Sequence, residues 1–210
     1  RSRDSLRSCQ PWHGFVRAAL VASIAFTCVV LTGCATREPP SADHPPPPPP
    51  HLAGHGVMLL PVQPTRGATP TGLDEELAYW FGERSRAVRW VFPPTLERAL
   101  ERSPGLGIHL RSLAVSSFFR AEVRRIGDPL FGDLRRLSAL VDARFAIVPI
   151  AAAYVERPGE DGRVEIAAAV IETVGGQVHW FGVVAGEPGP EGASATTASA
   201  AQALARTLFP

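Results

Sequence analysis

Residues 163–174, RVEIAAAVIETV, and the two apolar runs that flank them determine the fold of this chain. The runs at 144–156, RFAIVPIAAAYVE, and at 177–187, QVHWFGVVAGE, have the length and composition that are typical of strands. Gly175-Gly176 is a two-residue hairpin signal, and the segment 158–162 supplies the other turn. The pattern therefore predicts a three-stranded antiparallel meander.

Both faces of the central run are largely apolar. One face carries Val164, Ile166, Ala168 and Val170, and the other carries Glu165, Ala167, Ala169 and Ile171. A sheet that is apolar on both faces is normally buried on both. We therefore expect helices or another layer over much of the meander.

The chain before and after the meander supplies the remaining elements. We predict a strand at 57–62, a helix from 71, a strand at 89–94, short helices at 95–103 and within 105–127, a helix at 129–141 and a terminal helix at 195–209. Asp128-Pro129 marks the start of the helix at 129–141, with Asp128 as its N-cap and proline at the first helical position, where proline is favoured. The expected fold is α+β, with an α/β-like strand-helix-strand-helix-helix order before the meander and one mixed sheet covered by helices.

The first 33 residues have the features of an export signal. Four arginines and one acid precede an uncharged, apolar or small run at 18–32. A comfortable membrane-spanning helix needs about 20 apolar residues, which this run does not reach. The pattern predicts a signal peptide over 1–33 rather than a permanent transmembrane anchor.

Directly after the apolar run, Leu31-Thr32-Gly33-Cys34 resembles the bacterial lipobox. The resemblance implies cleavage between Gly33 and Cys34, with fatty acyl chains such as palmitate then attached to Cys34. Ala35 follows the cysteine, and by the same resemblance we expect the outer membrane, facing the periplasm, with the inner membrane or the cell surface as alternatives. The other two cysteines precede the cleavage site, so the mature chain has no disulfide.

A tether and one globular domain follow the lipidation site. The segment 34–54 includes six consecutive prolines at 45–50, and a polyproline helix rises about 3.1 Å per residue, so about 20 residues span about 60 Å. We interpret it as a spacer, with a docking site for an aromatic groove as the alternative. The histidines in and beside this tract are too widely spaced for a metal site. Residues 55–210 form the predicted periplasmic domain.

The order of elements in this domain is similar to a group of bacterial envelope modules: the amino-terminal domain of TolB, LpoB and CsgG. The matching segments are 57–61, VMLLP, 93–96, PPTL, and 137–149, LSALVDARFAIVP. Arg144 stands where the family usually has an acid, and Pro149 where glycine is common. The resemblance implies a non-enzymatic module that binds another envelope protein, without a cofactor.

Composition excludes one class of function. The formal net charge is +1, and the 21 basic residues, all arginine, form no block. Binding to a phosphate backbone requires a basic stripe or patch. We therefore expect no nucleic-acid partner.

Four residues are candidates for a partner surface. Trp180 and the following Phe181 alternate along a strand, so we expect one of the two to be exposed, and tryptophan is favoured in interface hot spots. His179 lies beside it. Arg124 and Arg125 belong to an arginine-rich segment that forms either a solvated helix face or a docking patch for an acidic partner or phospholipid headgroups.

Two other functions remain open. A cell-wall or ester hydrolase would use Ser116 or Ser117 with His109 as its base and an aspartate as the third group, although neither serine has the usual nucleophile motif. A subunit of an envelope secretion assembly would instead form stable rings. The non-catalytic binding module is the interpretation that the sequence favours.

Overall fold

The structure is a computed structural model that describes residues 47–64, 69–120 and 123–210. The predicted signal peptide, the cleavage site at Gly33 and Cys34, and the tether as far as residue 46 lie outside these residues. Within the part of the chain that the structure describes, no helix combines the length and the apolar character needed to cross a membrane.

Five strands form one mixed sheet. They are β1 (Gly56–Leu59), β2 (Arg89–Val91), β3 (Phe145–Arg157), β4 (Glu160–Glu172) and β5 (Val178–Ala185). Their order across the sheet is β2-β1-β3-β4-β5. β1 is parallel to both β2 and β3, whereas β3, β4 and β5 form the antiparallel meander that the sequence predicts.

Helices cover both faces of this sheet. They are α1 (Leu73–Arg84), α2 (Pro93–Glu101), α3 (Leu130–Val141) and α4 (Ser194–Leu208). Buried side chains of α1 and α4 pack on one face, and those of α2 and α3 pack on the other, where the segment 108–126 adds a further set. The α+β prediction is therefore confirmed.

The alternation of β4 explains why two layers are needed. Val164, Ile166, Ala168 and Val170 belong to the core beneath α1 and α4. Ala169 and Ile171 belong to the core beneath α2 and α3. Burial of apolar surface stabilises the fold by about 25 cal/mol per Å². A strand that is apolar on both faces is therefore most stable when a helix layer packs on each face.

The helix predicted within 105–127 is not present among the described residues of that segment. Short 3₁₀ turns occupy Pro104–Leu106 and Ser116–Phe119, and Arg125 forms an antiparallel bridge with Gln177. Backbone hydrogen bonds on both sides of this bridge join the segment to the start of β5. The prediction was wrong because the local helical spacing of this segment is overridden by its pairing with Gln177, which lies far away in the sequence.

The end of the proline-rich segment packs on the domain. The carbonyl of Pro47 accepts a hydrogen bond from the indole Nε1 of Trp180 at 2.9 Å. Leu52 is buried in the core under α1 and α4, and the amide of Gly54 donates to the carbonyl of Ala87 at 2.8 Å. Residues that precede β1 therefore take part in the packing of the domain.

Candidate functional site

One end of the sheet gathers basic side chains from four of its five strands or from segments beside them, whereas β4 ends there in Glu172. β1, β2 and β3 begin at this end, β4 finishes there and β5 starts there. The basic end, as we call it, consists of His55, Arg89, Arg124, Arg125, Arg144 and His179. Its two histidines lie in sequence 124 residues apart, so only the fold brings these groups together.

Phe145, at the start of β3, lies at the centre of the basic end. The ring of His55 meets it edge-on at a centroid distance of 5.3 Å, and the ring of His179 does so at 5.6 Å. The guanidinium carbon of Arg144 lies 5.7 Å from the same ring centroid. An aromatic face attracts a cation at such a distance, so this ring helps to hold the arginine in place.

Two of the four arginines have acidic partners. Arg144 Nη2 lies 3.2 Å from an oxygen of Glu172, and Arg89 Nη2 lies 2.8 Å from an oxygen of Asp142. These arginines are more than half exposed, and exposed ion pairs contribute little to stability. They do, however, fix where the two guanidinium groups lie.

Arg124 and Arg125 are exposed beside the first residues of β5. The carbonyl of Arg124 accepts a hydrogen bond from the amide of Val178 at 2.9 Å, and Arg125 forms the antiparallel bridge with Gln177. Neither guanidinium forms an ion pair with another residue that the structure describes. The backbone pairing therefore places these two arginines beside the first residues of the strand that contains His179.

Trp180 is not part of that exposed surface. Its side chain is only 1% exposed and belongs to the core under α1 and α4. His179 is an extra residue in the pairing of β5 with β4, because Val170 opposes Trp180 while Ile171 opposes Val178. The prediction that Trp180 contributes to a partner surface is wrong, since this irregularity and the helix layer enclose the indole.

Sequence reasoning did not include His55, Arg89 or Arg144 in the candidate site. A signal for them does exist, because each basic residue opens or immediately precedes one of the three parallel strands. Strands that are parallel and adjacent bring their amino-terminal ends to one edge of a sheet. Strand assignments alone did not reveal that these three are neighbours.

The residues proposed for hydrolysis are not joined in the described part of the chain. Ser116 Oγ accepts a hydrogen bond from Arg120 Nη2 at 3.5 Å. Among the described residues, no hydrogen bond connects His109 with Ser116 or Ser117. His109 instead lines a shallow depression of about 390 Å³ with Glu97, Glu101 and four other residues. No group of three metal-ligating side chains occurs among the residues described.

Comparison with known proteins gives little further information. No family model matches the chain, and no curated protein matches it. A solved PelC dodecamer from Paraburkholderia phytofirmans with a leucine-to-methionine substitution is similar in structure, at a TM-score of 0.41 and 17% identity over 79% of this chain and 94% of that chain. A second crystal form of the PelC dodecamer gives a TM-score of 0.39 and 16% identity over 79% and 93%. A likeness of this size carries no functional conclusion.

Proposed function

We propose that this protein is an envelope lipoprotein, anchored through acyl chains on Cys34, whose domain binds another envelope protein without catalysing a reaction. The observation that carries the proposal is the motif Leu31-Thr32-Gly33-Cys34 at the end of an uncharged apolar run. Several acyl chains on one residue hold a protein on a bilayer far more firmly than a single chain does. The outer membrane, with the domain in the periplasm, is the proposed location.

The architecture of the domain is compatible with a binding role. Helix layers bury both faces of the sheet, so the surfaces available to a partner are the outer sides of the helices, the sheet edges and the two ends of the sheet. The basic end offers several charged and hydrogen-bonding groups, of which Arg89 and Arg144 are held by ion pairs. Groups of this kind support recognition of an acidic surface.

Metabolic labelling tests the anchor. Cells that express the full-length protein are given a tagged palmitate analogue, and the label on the purified protein is measured. Cys34→Ala should abolish the label, whereas the matched change Cys28→Ala, six residues upstream, should leave it unchanged. Full labelling of the Cys34→Ala variant would contradict the proposed anchor.

Crosslinking in intact cells tests the binding role. Affinity recovery followed by mass spectrometry should yield the same envelope protein in repeated experiments, and its recovery should depend on Cys34. Turnover of peptidoglycan or of generic esters by the purified protein would favour the hydrolase instead. Stable rings on sizing in detergent would favour a secretion assembly.

A further inference from the structure

The proline-rich segment joins the domain at the basic end. Pro47 is held by the indole of Trp180, which directly follows His179 in β5. From there the chain passes to Leu52 and then to Gly54, whose amide is bonded to Ala87, two residues before β2. The segment therefore follows the end of the sheet from β5 toward β2.

This attachment limits how far the basic end can lie from a lipid on Cys34. Pro47 is 13 residues beyond Cys34 in the sequence. A fully extended chain spans at most about 3.3–3.6 Å per residue, which gives an upper limit of about 45 Å. The point at which the tether is attached therefore stays within about 45 Å of a lipid on Cys34, which favours contact of the basic end with the bilayer.

The opposite end of the sheet carries a group of exposed acidic residues, beside which Arg111 pairs with Asp74 at 2.7 Å. It holds the β3–β4 turn, the first turn of α1 and the connection from β5 to α4. Its exposed acidic residues are Glu75, Glu156, Asp161, Glu187 and Glu191. The domain thus has a basic end, where the tether is attached, and an acidic end that faces away from it.

We propose that the basic end lies against the bilayer that holds the acyl chains of Cys34, and that Arg124, Arg125 and Arg144 bind anionic phospholipid headgroups there. This inference rests on the proposed lipid anchor. Guanidinium groups form paired hydrogen bonds with phosphate oxygens, and basic residues close to an anionic surface are attracted within about a Debye length. A zwitterionic surface offers no net charge to the same groups.

The tether makes even a weak attraction effective. A short linker holds a second binding site at an effective concentration in about the millimolar range. Three arginines then suffice to orient the domain without binding membranes on their own. The same contact would leave the acidic end exposed to the periplasm.

Arginine footprinting tests the orientation, because the chain has no lysine that would compete for a glyoxal reagent. The mature chain is coupled through the Cys34 thiol to a maleimide phospholipid in nanodiscs, either zwitterionic or with about 30% phosphatidylglycerol. Phenylglyoxal modification of each arginine is followed by mass spectrometry. Arg98 and Arg111 serve as internal controls, since they contact Pro94 and Asp74 near the acidic end.

We expect anionic nanodiscs to slow the modification of Arg124, Arg125 and Arg144 by about threefold or more relative to zwitterionic ones. The control arginines should change little, and about 0.5 M salt should remove the protection. In the double variant Arg124→Ser, Arg125→Ser, protection at Arg144 should fall, with circular dichroism checking that the fold is retained.

Equal rates in both lipids, or equal protection of the control arginines, would overturn the proposal and leave the basic end for an acidic protein partner. Because the lipid is attached chemically, this result is independent of whether cells lipidate Cys34. Palmitate labelling answers that separate question, so failure of the anchor and failure of the orientation are distinguishable.

Discussion

Replacement of Trp180 by alanine separates a core role for this residue from a role in partner binding. The indole is 1% exposed and is among the largest fully buried side chains of the described residues. Removal of a buried tryptophan side chain costs about 3–5 kcal/mol through lost transfer free energy and the cavity that remains. In a domain of 150–250 residues each kcal/mol lowers Tm by about 2–4 °C, so Trp180→Ala should lower Tm by about 6–20 °C.

Trp180→Phe isolates the contact with the tether. Phenylalanine retains much of the ring but lacks the N–H that donates to Pro47. Loss of one such hydrogen bond costs about 0.5–1.5 kcal/mol, so the fall in Tm should be a few degrees and clearly smaller than that of the alanine variant.

Thermal unfolding followed by circular dichroism measures both variants, with Tyr79→Ala as the matched control. Tyr79 is 59% exposed, and substitutions at exposed sites usually change stability by less than about 0.5 kcal/mol. A Tm for Trp180→Ala within about a degree of the wild-type value would refute the assignment of this residue to the core.

Two further stability predictions follow from close contacts in the structure. Gln63→Ala should lower the free energy of unfolding by about 2–4 kcal/mol in a denaturant titration. The buried side-chain amide donates a hydrogen bond to the carbonyl of Leu110 and accepts one from the amide of Leu113, and the substitution would leave both backbone groups unpaired. Gln177→Ala, at an exposed position, should be nearly neutral in the same titration. Gly186→Ala should lower the free energy of unfolding by about 1–3 kcal/mol, because the new Cβ would lie 2.6 Å from a backbone nitrogen of α4. Gly105→Ala serves as the control, since no atom lies within 4 Å of the new Cβ, and it should leave the free energy of unfolding nearly unchanged.

Local patterns predicted most of the fold. β3, β4 and α3 lie within one to three residues of their predicted limits, because alternation over 164–171 and the stripe of Leu130, Leu134 and Leu137 are signals that each element carries in its own sequence. Asp128 is not the N-cap that the sequence predicts, because Pro129 occupies that position, but its carboxylate accepts a hydrogen bond from the amide of Gly132 in the first turn at 3.0 Å.

Non-local pairing accounts for what the sequence did not predict. The segment before α3 contains residues at helical spacing, but its backbone pairs with Gln177, and the free energy of that pairing depends on residues about 50 positions away. The extra residue at His179 follows from the register of β5 against β4 rather than from any property of the sequence around it. Without this extra residue, alternation along β5 would place Val178 and Trp180 on the same face of the sheet, whereas the structure places them on opposite faces.

The proposed membrane contact and an acidic protein partner compete for the same surface, the basic end. If the basic end lies on the bilayer, then Arg124, Arg125 and His179 are covered by headgroups and an envelope protein must bind elsewhere on the domain. The acidic end, with Glu156 near the end of β3 and Asp161 near the start of β4, then projects away from the membrane surface. Since attraction between unlike charges accelerates association and excludes partners of the same charge, the protein partner expected from this orientation presents a basic surface to the domain.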